Sequence, residues 1–105
     1  MLTPKEHKRL ENYIQGVDVS RLAEAFDALG EPTRCLIFRA LLKTQHANVT
    51  QLAEAMGISN SLASQHLKTL KEANLILKRK EGKRVYYDIN DADSLVLALG
   101  KVVEK

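Results

Sequence analysis

The sequence predicts a mostly α-helical domain carrying one small β-hairpin, a winged helix-turn-helix. Three observations predict it. Apolar residues recur at helical spacing along most of the 105 residues, with i, i+3, i+4 steps that put them on one helix face. Two of these patterns meet at the short turn Gly57-Ile58-Ser59. The second is followed by two β-prone runs around Glu81-Gly82-Lys83, the pattern of a hairpin.

The elements follow in order. Thr3-Pro4-Lys5-Glu6 starts a helix, with Thr3 as N-cap, Pro4 in the first turn and Glu6 closing a capping box. Leu10, Tyr13, Ile14 and Val17 form its stripe, and Gly16 ends or loosens it. Leu22, Ala25, Phe26 and Leu29 mark a second helix that Gly30 stops. Glu31-Pro32-Thr33 restarts the chain, and Leu36, Ile37, Ala40 and Leu41 give the third helix its apolar face. His46 to Val49 is a loop or short extended link. Thr50 then caps a short helix with Leu52, Ala53 and Met56 facing inward. Gly57 permits the positive φ of a sharp turn, Ile58 packs into the corner, and Ser59 or Asn60 caps the next helix. Leu62, Ala63, Leu67 and Leu70 face inward on that helix, and Asn74 suits a left-handed C-terminal residue. The hairpin runs from Leu75 to Lys80 and from Arg84 to Ile89, with Val85, Tyr87 and Ile89 on one face. Asn90 or Asp91 caps a last helix whose Ala92, Leu95, Val96, Leu99, Val102 and Val103 form a wide apolar stripe.

Composition bounds the function. Hydrophobic residues make up 45% of the chain, enough for a core. The length suits one domain, spanning residues 1–105. The net charge of +3 agrees with an anionic partner without requiring one. A single cysteine excludes an internal disulfide and a cysteine-only metal site within one chain. Pro4 to Arg9 interrupts any apolar leader, and no apolar run reaches the roughly 20 residues of a membrane span. The expectation is a cytoplasmic protein away from membranes. No nucleophile–base pair, Gly-rich phosphate loop or cofactor motif stands out, so neither an enzyme nor a cofactor is expected.

The second helix of the turn carries the informative chemistry. Ser61, Ser64, Gln65 and Lys68 fall at i, i+3, i+4 and i+7. A face that only had to stay soluble would more often carry Glu/Lys pairs. A helix-turn-helix presents its second helix to the DNA major groove. There Gln65 and Asn60 can pair with adenine, the two serines can serve several base edges, and Lys68 can reach guanine or phosphate. Lys78, Arg79, Lys80, Lys83 and Arg84 of the hairpin suit backbone phosphates. Each feature alone is also what a solvated surface shows; their order along the chain points to double-stranded DNA.

Three stretches carry a family resemblance: "LAEAFDALGEPTRCLIFRALL", "VTQLAEAMGISNSLASQHLKTLKEANLI" and "LKRKEGKRVYYDI". The chain resembles the ArsR/SmtB family of winged-helix transcriptional repressors over residues 22 to 89. The resemblance implies a homodimer paired through first and last helices, an inverted-repeat operator, and release by an inducer, most often a metal ion. The residues agree with the pairing. The last helix is more apolar than a lone surface helix needs, the first carries its own apolar stripe, and a small domain gains by burying both against a twin. Leu10, Tyr13, Ile14, Leu95, Leu99, Val102 and Val103 are the expected interface. The alternative is that these helices close the core of a single chain.

The metal sites of the family are where this sequence departs. At the position of a Cys-Val-Cys pair it has Asn48-Val49-Thr50. At the position of a last-helix Asp/His set it has Asp91, Asp93 and Glu104, without histidine. Zinc, nickel and cobalt favour imidazole or thiolate, and acids in a first turn also stabilise the helix. No metal is expected, and these three carboxylates are only weak candidates. Cys35, flanked by Arg34 and Arg39, reads as a small core residue, with a redox role as the alternative. His66 reads as a packing residue or phosphate contact, and Tyr86 and Tyr87 as wing packing. His7 and His46 have no companion at ligand spacing. A small-molecule inducer and, as a second class, a winged-helix module that binds protein instead of DNA complete the expectations.

Overall fold

The computed structural model describes residues 1–105 and contains six helices and one two-stranded antiparallel sheet. In chain order these are α1 (Pro4–Gly16), α2 (Ser20–Leu29), α3 (Pro32–Lys43), α4 (Val49–Met56), α5 (Asn60–Glu72), β1 (Ile76–Glu81), β2 (Arg84–Ile89) and α6 (Ser94–Val103). The mostly α architecture with a hairpin expected from the periodicities is the one observed.

Local signals account for most boundaries. Thr3 accepts the Glu6 N–H at 3.2 Å while the Glu6 carboxylate accepts the Thr3 N–H at 3.0 Å, the reciprocal box that frees no orphan donor. Glu31 caps α3 by accepting the Arg34 N–H, and Pro32 fills its first turn. Gly57 ends α4 at φ 69° and Asn74 follows α5 at φ 59°, the left-handed positions expected of both. Two caps differ from expectation. Asn48, not Thr50, caps α4, because its side chain exchanges hydrogen bonds with Gln51. Asp93, not Asn90 or Asp91, caps α6, since residues 90–93 first turn back on the hairpin; Ala92 is therefore outside that helix.

One core of 15 buried residues joins α2, α3, α5, the hairpin base and α6. Ile37, Phe38, Leu41, Leu67, Leu70, Leu75, Ile76 and Val96 are its large fully buried side chains. The inward faces are narrower than the apolar stripes. Leu22, Phe26, Leu36 and Leu62, expected inside, are exposed. On α3 the inward turn is taken by Phe38 instead, so the third helix is rotated from the face read in sequence.

The two ends behave differently. No residue of α1 is buried, and Leu10, Tyr13 and Ile14 project from it exposed. The radius of gyration is 17.8 Å with a long axis of 61 Å, against about 13 Å for a compact chain of this length. The last helix instead packs on α3. A Cβ at Gly100 would stand 3.2 Å from Leu42 Cδ2, so the two helices meet closely there and a larger residue would require the Leu42 side chain to shift. That packing turns Val96 and Leu99 into the chain's own core and leaves Leu97 and Val102 exposed. Leu99 is thus a core residue rather than a seam residue, and Leu95 and Val103 are partly buried against the same core.

Candidate nucleic-acid interface

The hairpin is stitched to the body so that it stands beside α5. Asn90 donates to the Leu75 carbonyl through its N–H and to the Asn74 carbonyl through Nδ2, at 3.1 and 2.9 Å. Tyr87 N–H donates to the Ala47 carbonyl at 2.9 Å. These bonds close both strand ends against the core, leaving the Gly82-Lys83 turn at the free tip.

The strand register sorts the basic residues. Ile76 faces Ile89, Lys78 faces Tyr87 and Lys80 faces Val85, so Lys78 and Lys80 share the inner face with the apolar residues. Leu77, Arg79 and Glu81 lie on the other face, opposite Asp88, Tyr86 and Arg84. The five basic residues seen in sequence therefore do not form one patch. Lys83 and Arg84 are exposed near the tip. Arg79 is taken up within the sheet. Its guanidinium lies 3.3 Å from Asp88 Oδ2 and 3.5 Å from Glu81, and it contacts His46 Nδ1. Arg79 braces the hairpin.

On α5, Ser61, Ser64, Gln65 and Lys68 are all exposed along one face, as their spacing requires. Ala63, Leu67 and Leu70 anchor the opposite face. Ser59 caps the helix by accepting the Leu62 N–H at 3.0 Å. Asn60 Nδ2 reaches Thr50 Oγ1 at 3.3 Å, so one of its donors is tied to the start of α4. Lys68 has only a long contact of 4.0 Å to Glu72, a solvated pair worth little.

Between α5 and β1 lies a cleft of about 350 Å³ lined by Ser64, Lys68, Lys71, Lys78 and Tyr87. It brings a recognition-face residue and a wing residue into one basic groove. Lys71 was not anticipated, although it continues the same face at i+3 from Lys68 and i+7 from Ser64. Burial raises the Tyr87 phenol pKa above its ordinary value.

The remaining candidates fall elsewhere. His66 is mostly covered, 3.5 Å from Arg34 and 3.8 Å from Glu31, which makes it a packing residue at the α3 start. The Glu31 carboxyl is held below its usual range, chiefly by accepting the Arg34 N–H. Cys35 is half-buried in a shallow cleft with Pro32, Leu36, Arg39 and Val103. Asp93 is committed twice, accepting the Leu95 N–H and pairing with Arg21 at 2.6 Å. It does not form a ligand cluster with Asp91 and Glu104. No helix is long and apolar enough to cross a membrane.

Residues 31–78, from the start of α3 into β1, match the profile of the bacterial regulatory protein arsR family. The nodulation protein NolR of Rhizobium meliloti is 32% identical over 99 residues, 94% of this chain and 72% of NolR. The chain belongs to the arsR family. The HTH-type transcriptional regulator CmtR of Mycobacterium tuberculosis is 39% identical over 85 residues, 81% of this chain and 70% of CmtR. A homodimeric winged helix-turn-helix DNA-binding domain from Mycobacterium bovis superposes with a TM-score of 0.70 at 26% identity, covering 99% of this chain and 85% of that one. As an arsR-family member the chain is a winged-helix, DNA-binding transcriptional regulator.

Proposed function

We propose that this arsR-family chain is a single-domain repressor that acts as a homodimer on an inverted-repeat operator in the cytoplasm, without catalytic activity. The observation that carries the proposal is the pairing of two unsatisfied surfaces. The α5 face and the Ser64–Lys68–Lys71–Lys78 cleft gather short hydrogen-bonding groups and three lysines around one groove. At the other extreme, α1 buries nothing in its own chain while exposing Leu10, Tyr13 and Ile14. An isolated amphipathic helix of 13 residues is marginal in water, and a second copy supplies the missing apolar face. Val102 of α6, also exposed, extends that seam.

In this reading Ser61, Ser64, Gln65 and Lys68 meet base edges and nearby phosphates, with Asn60 at the helix start. Lys78, Lys80, Lys83 and Arg84 hold backbone phosphates, and Lys71 joins them. Phosphate contacts set register and base contacts set sequence. The inducer is not a thiophilic or borderline metal: Asn48 and Thr50 supply no thiolate, Cys35 stands alone in each chain, and Asp93 already serves the α6 cap and Arg21.

Selection of duplexes from a random-sequence pool tests the proposal. It should return two half-sites in opposite orientation, their centres about one helical turn of 10–10.5 base pairs apart or a multiple of it. Bound duplexes without any common sequence, with affinity that ignores salt, would overturn it and favour a module that binds protein.

A further inference from the structure

The 44–48 link lies between a pocket and the wing. On one side it closes a half-enclosed cavity of about 320 Å³ between the end of α3 and α4, lined by Ala40, Ala47, Leu52 and Ala55 together with Thr44, Gln45, His46 and Gln51. On the other side the same link holds the hairpin. The His46 N–H donates to Asp88 Oδ1 at 3.0 Å, the His46 ring meets Arg79, and the Ala47 carbonyl accepts from Tyr87. His46 takes φ 61°, a conformation uncommon for residues other than glycine. Such backbone positions gather at ligand clamps and switch regions.

We propose that this cavity is an effector site for a small neutral molecule with an aromatic or branched apolar body and one amide or hydroxyl group, and that its occupancy weakens DNA binding. The inference rests on the DNA-binding reading above and adds the ligand class and its site. The walls set the chemistry. Three alanines and Leu52 offer an apolar surface, while Thr44, Gln45 and Gln51 offer neutral hydrogen-bonding groups. Gln51 spends its carbonyl oxygen on the Asn48 N–H, which leaves its NH₂ group to donate. No Lys, Arg, Asp or Glu lines the cavity, and the His46 ring in its wall is already engaged by Arg79 and Asp88, so the site offers an ion no free paired charge. The volume is about twice the roughly 150 Å³ cavity that accepts a benzene.

Coupling follows from the shared link. A guest wedged between α3 and α4 pushes on Ala47 and His46, whose other contacts set where the hairpin stands relative to α5. Moving the link breaks the Ala47–Tyr87 and His46–Asp88 bonds together and takes the wing lysines out of line with the recognition face. A ligand shifts such an equilibrium only by its differential affinity for the two arrangements, and His46, with its φ of 61°, is the position in the link proposed to change.

Benzamide, indole and phenol serve as probes, followed by amide chemical shifts and by affinity for a duplex from the selection experiment. At least one should give saturable shifts confined to residues 44–47 and the α4 backbone, with a Kd near about 1 mM, reasonable for a fragment of this size. Saturation should weaken duplex binding about tenfold, within the usual range of coupling between two sites. Ala55→Trp should fill the cavity, abolish the shifts and weaken DNA binding by a similar factor, whereas Ala55→Ser should do neither. His46→Gly removes both the ring and the backbone restriction. It should keep the probe shifts while reducing their effect on DNA to less than about twofold, measuring coupling apart from binding. No saturable shift from any probe overturns the site. Shifts without a change in duplex affinity overturn its regulatory role. A parent protein that shows the shifts but binds no duplex upholds the site and overturns the DNA-binding reading, so the two failures are separate.

Discussion

Arg21 and Asp93, 72 residues apart in sequence, meet at 2.6 Å between Nη2 and Oδ2, which ties α2 to the N-cap of α6. The Arg21 hydrogen bond is the main reason the Asp93 carboxyl is held below its usual pKa, with the Leu95 N–H adding to it. A depressed carboxylate pKa stabilises the fold above the unfolded-state value, about 3.9 for Asp, and that contribution is lost as pH falls through the lower folded-state value. Asn retains the capping ability of Asp, so Asp93→Asn removes the charge pair and spares the cap. Thermal melts should show the variant less stable than the parent at neutral pH, with the gap closing only below the ordinary Asp range. A gap that is unchanged at the lowest pH would mean that the pair contributes nothing ionic.

Gln65 is exposed in the middle of the α5 face. Gln65→Ala should weaken specific binding by about 1–3 kcal/mol and relax preference at one base position. Parent-like affinity and sequence preference in a footprinting titration would remove Gln65 from the base-reading set.

The hairpin cations should divide by where their side chains go. Lys83→Ala and Arg84→Ala should each flatten the logarithmic salt dependence of binding by roughly one unit on any sequence. Arg79→Ala should act differently, because Arg79 is spent on Asp88, Glu81 and His46. Its loss should increase amide exchange across the hairpin. Equal effects of Arg79 and Lys83 on salt slope, with an unaltered hairpin, would contradict this division.

Assembly should depend on α1 and not on Leu99. Ile14→Asp puts a charge on an exposed apolar face and should give a folded monomer that no longer binds its operator. Leu99→Asp puts a charge into the core, where an unpaired charge costs several kcal/mol, and should unfold the chain. Sedimentation and circular dichroism separate the two outcomes. A parent protein monomeric at micromolar concentration would exclude the seam.

Zinc and arsenite at low micromolar levels should leave the protein–DNA complex intact in a gel-shift titration. Release by stoichiometric zinc, reversed by a chelator, would overturn that and direct attention to Asp91 and Glu104. Release by peroxide that disappears in Cys35→Ser would instead make the half-buried thiol a sensor.

What the sequence by itself determined was whatever is encoded within a few residues. The Thr3–Glu6 capping box, the left-handed Gly57 and Asn74, the helix-turn-helix and the alternation of Val85, Tyr87 and Ile89 all depend on neighbours one to four positions away. So does the α5 face, because i, i+3, i+4 and i+7 share a side of any helix. The tertiary structure decided the choices among distant partners. A wide apolar stripe on α6 says that the helix is buried, but only its packing on α3 leaves Leu99 buried and Val102 exposed. Five cations on a hairpin look like one patch until strand register places Lys78 on one face and Arg79 on the other, against Asp88. Asp91 and Asp93 are alike in sequence; the turn of residues 90–93 on the hairpin makes the second the cap, and an arginine 72 residues away makes it an ion-pair partner. Local rules fix φ, caps and faces through short-range sterics and hydrogen bonds, whereas which face meets which neighbour depends on packing the whole core at once.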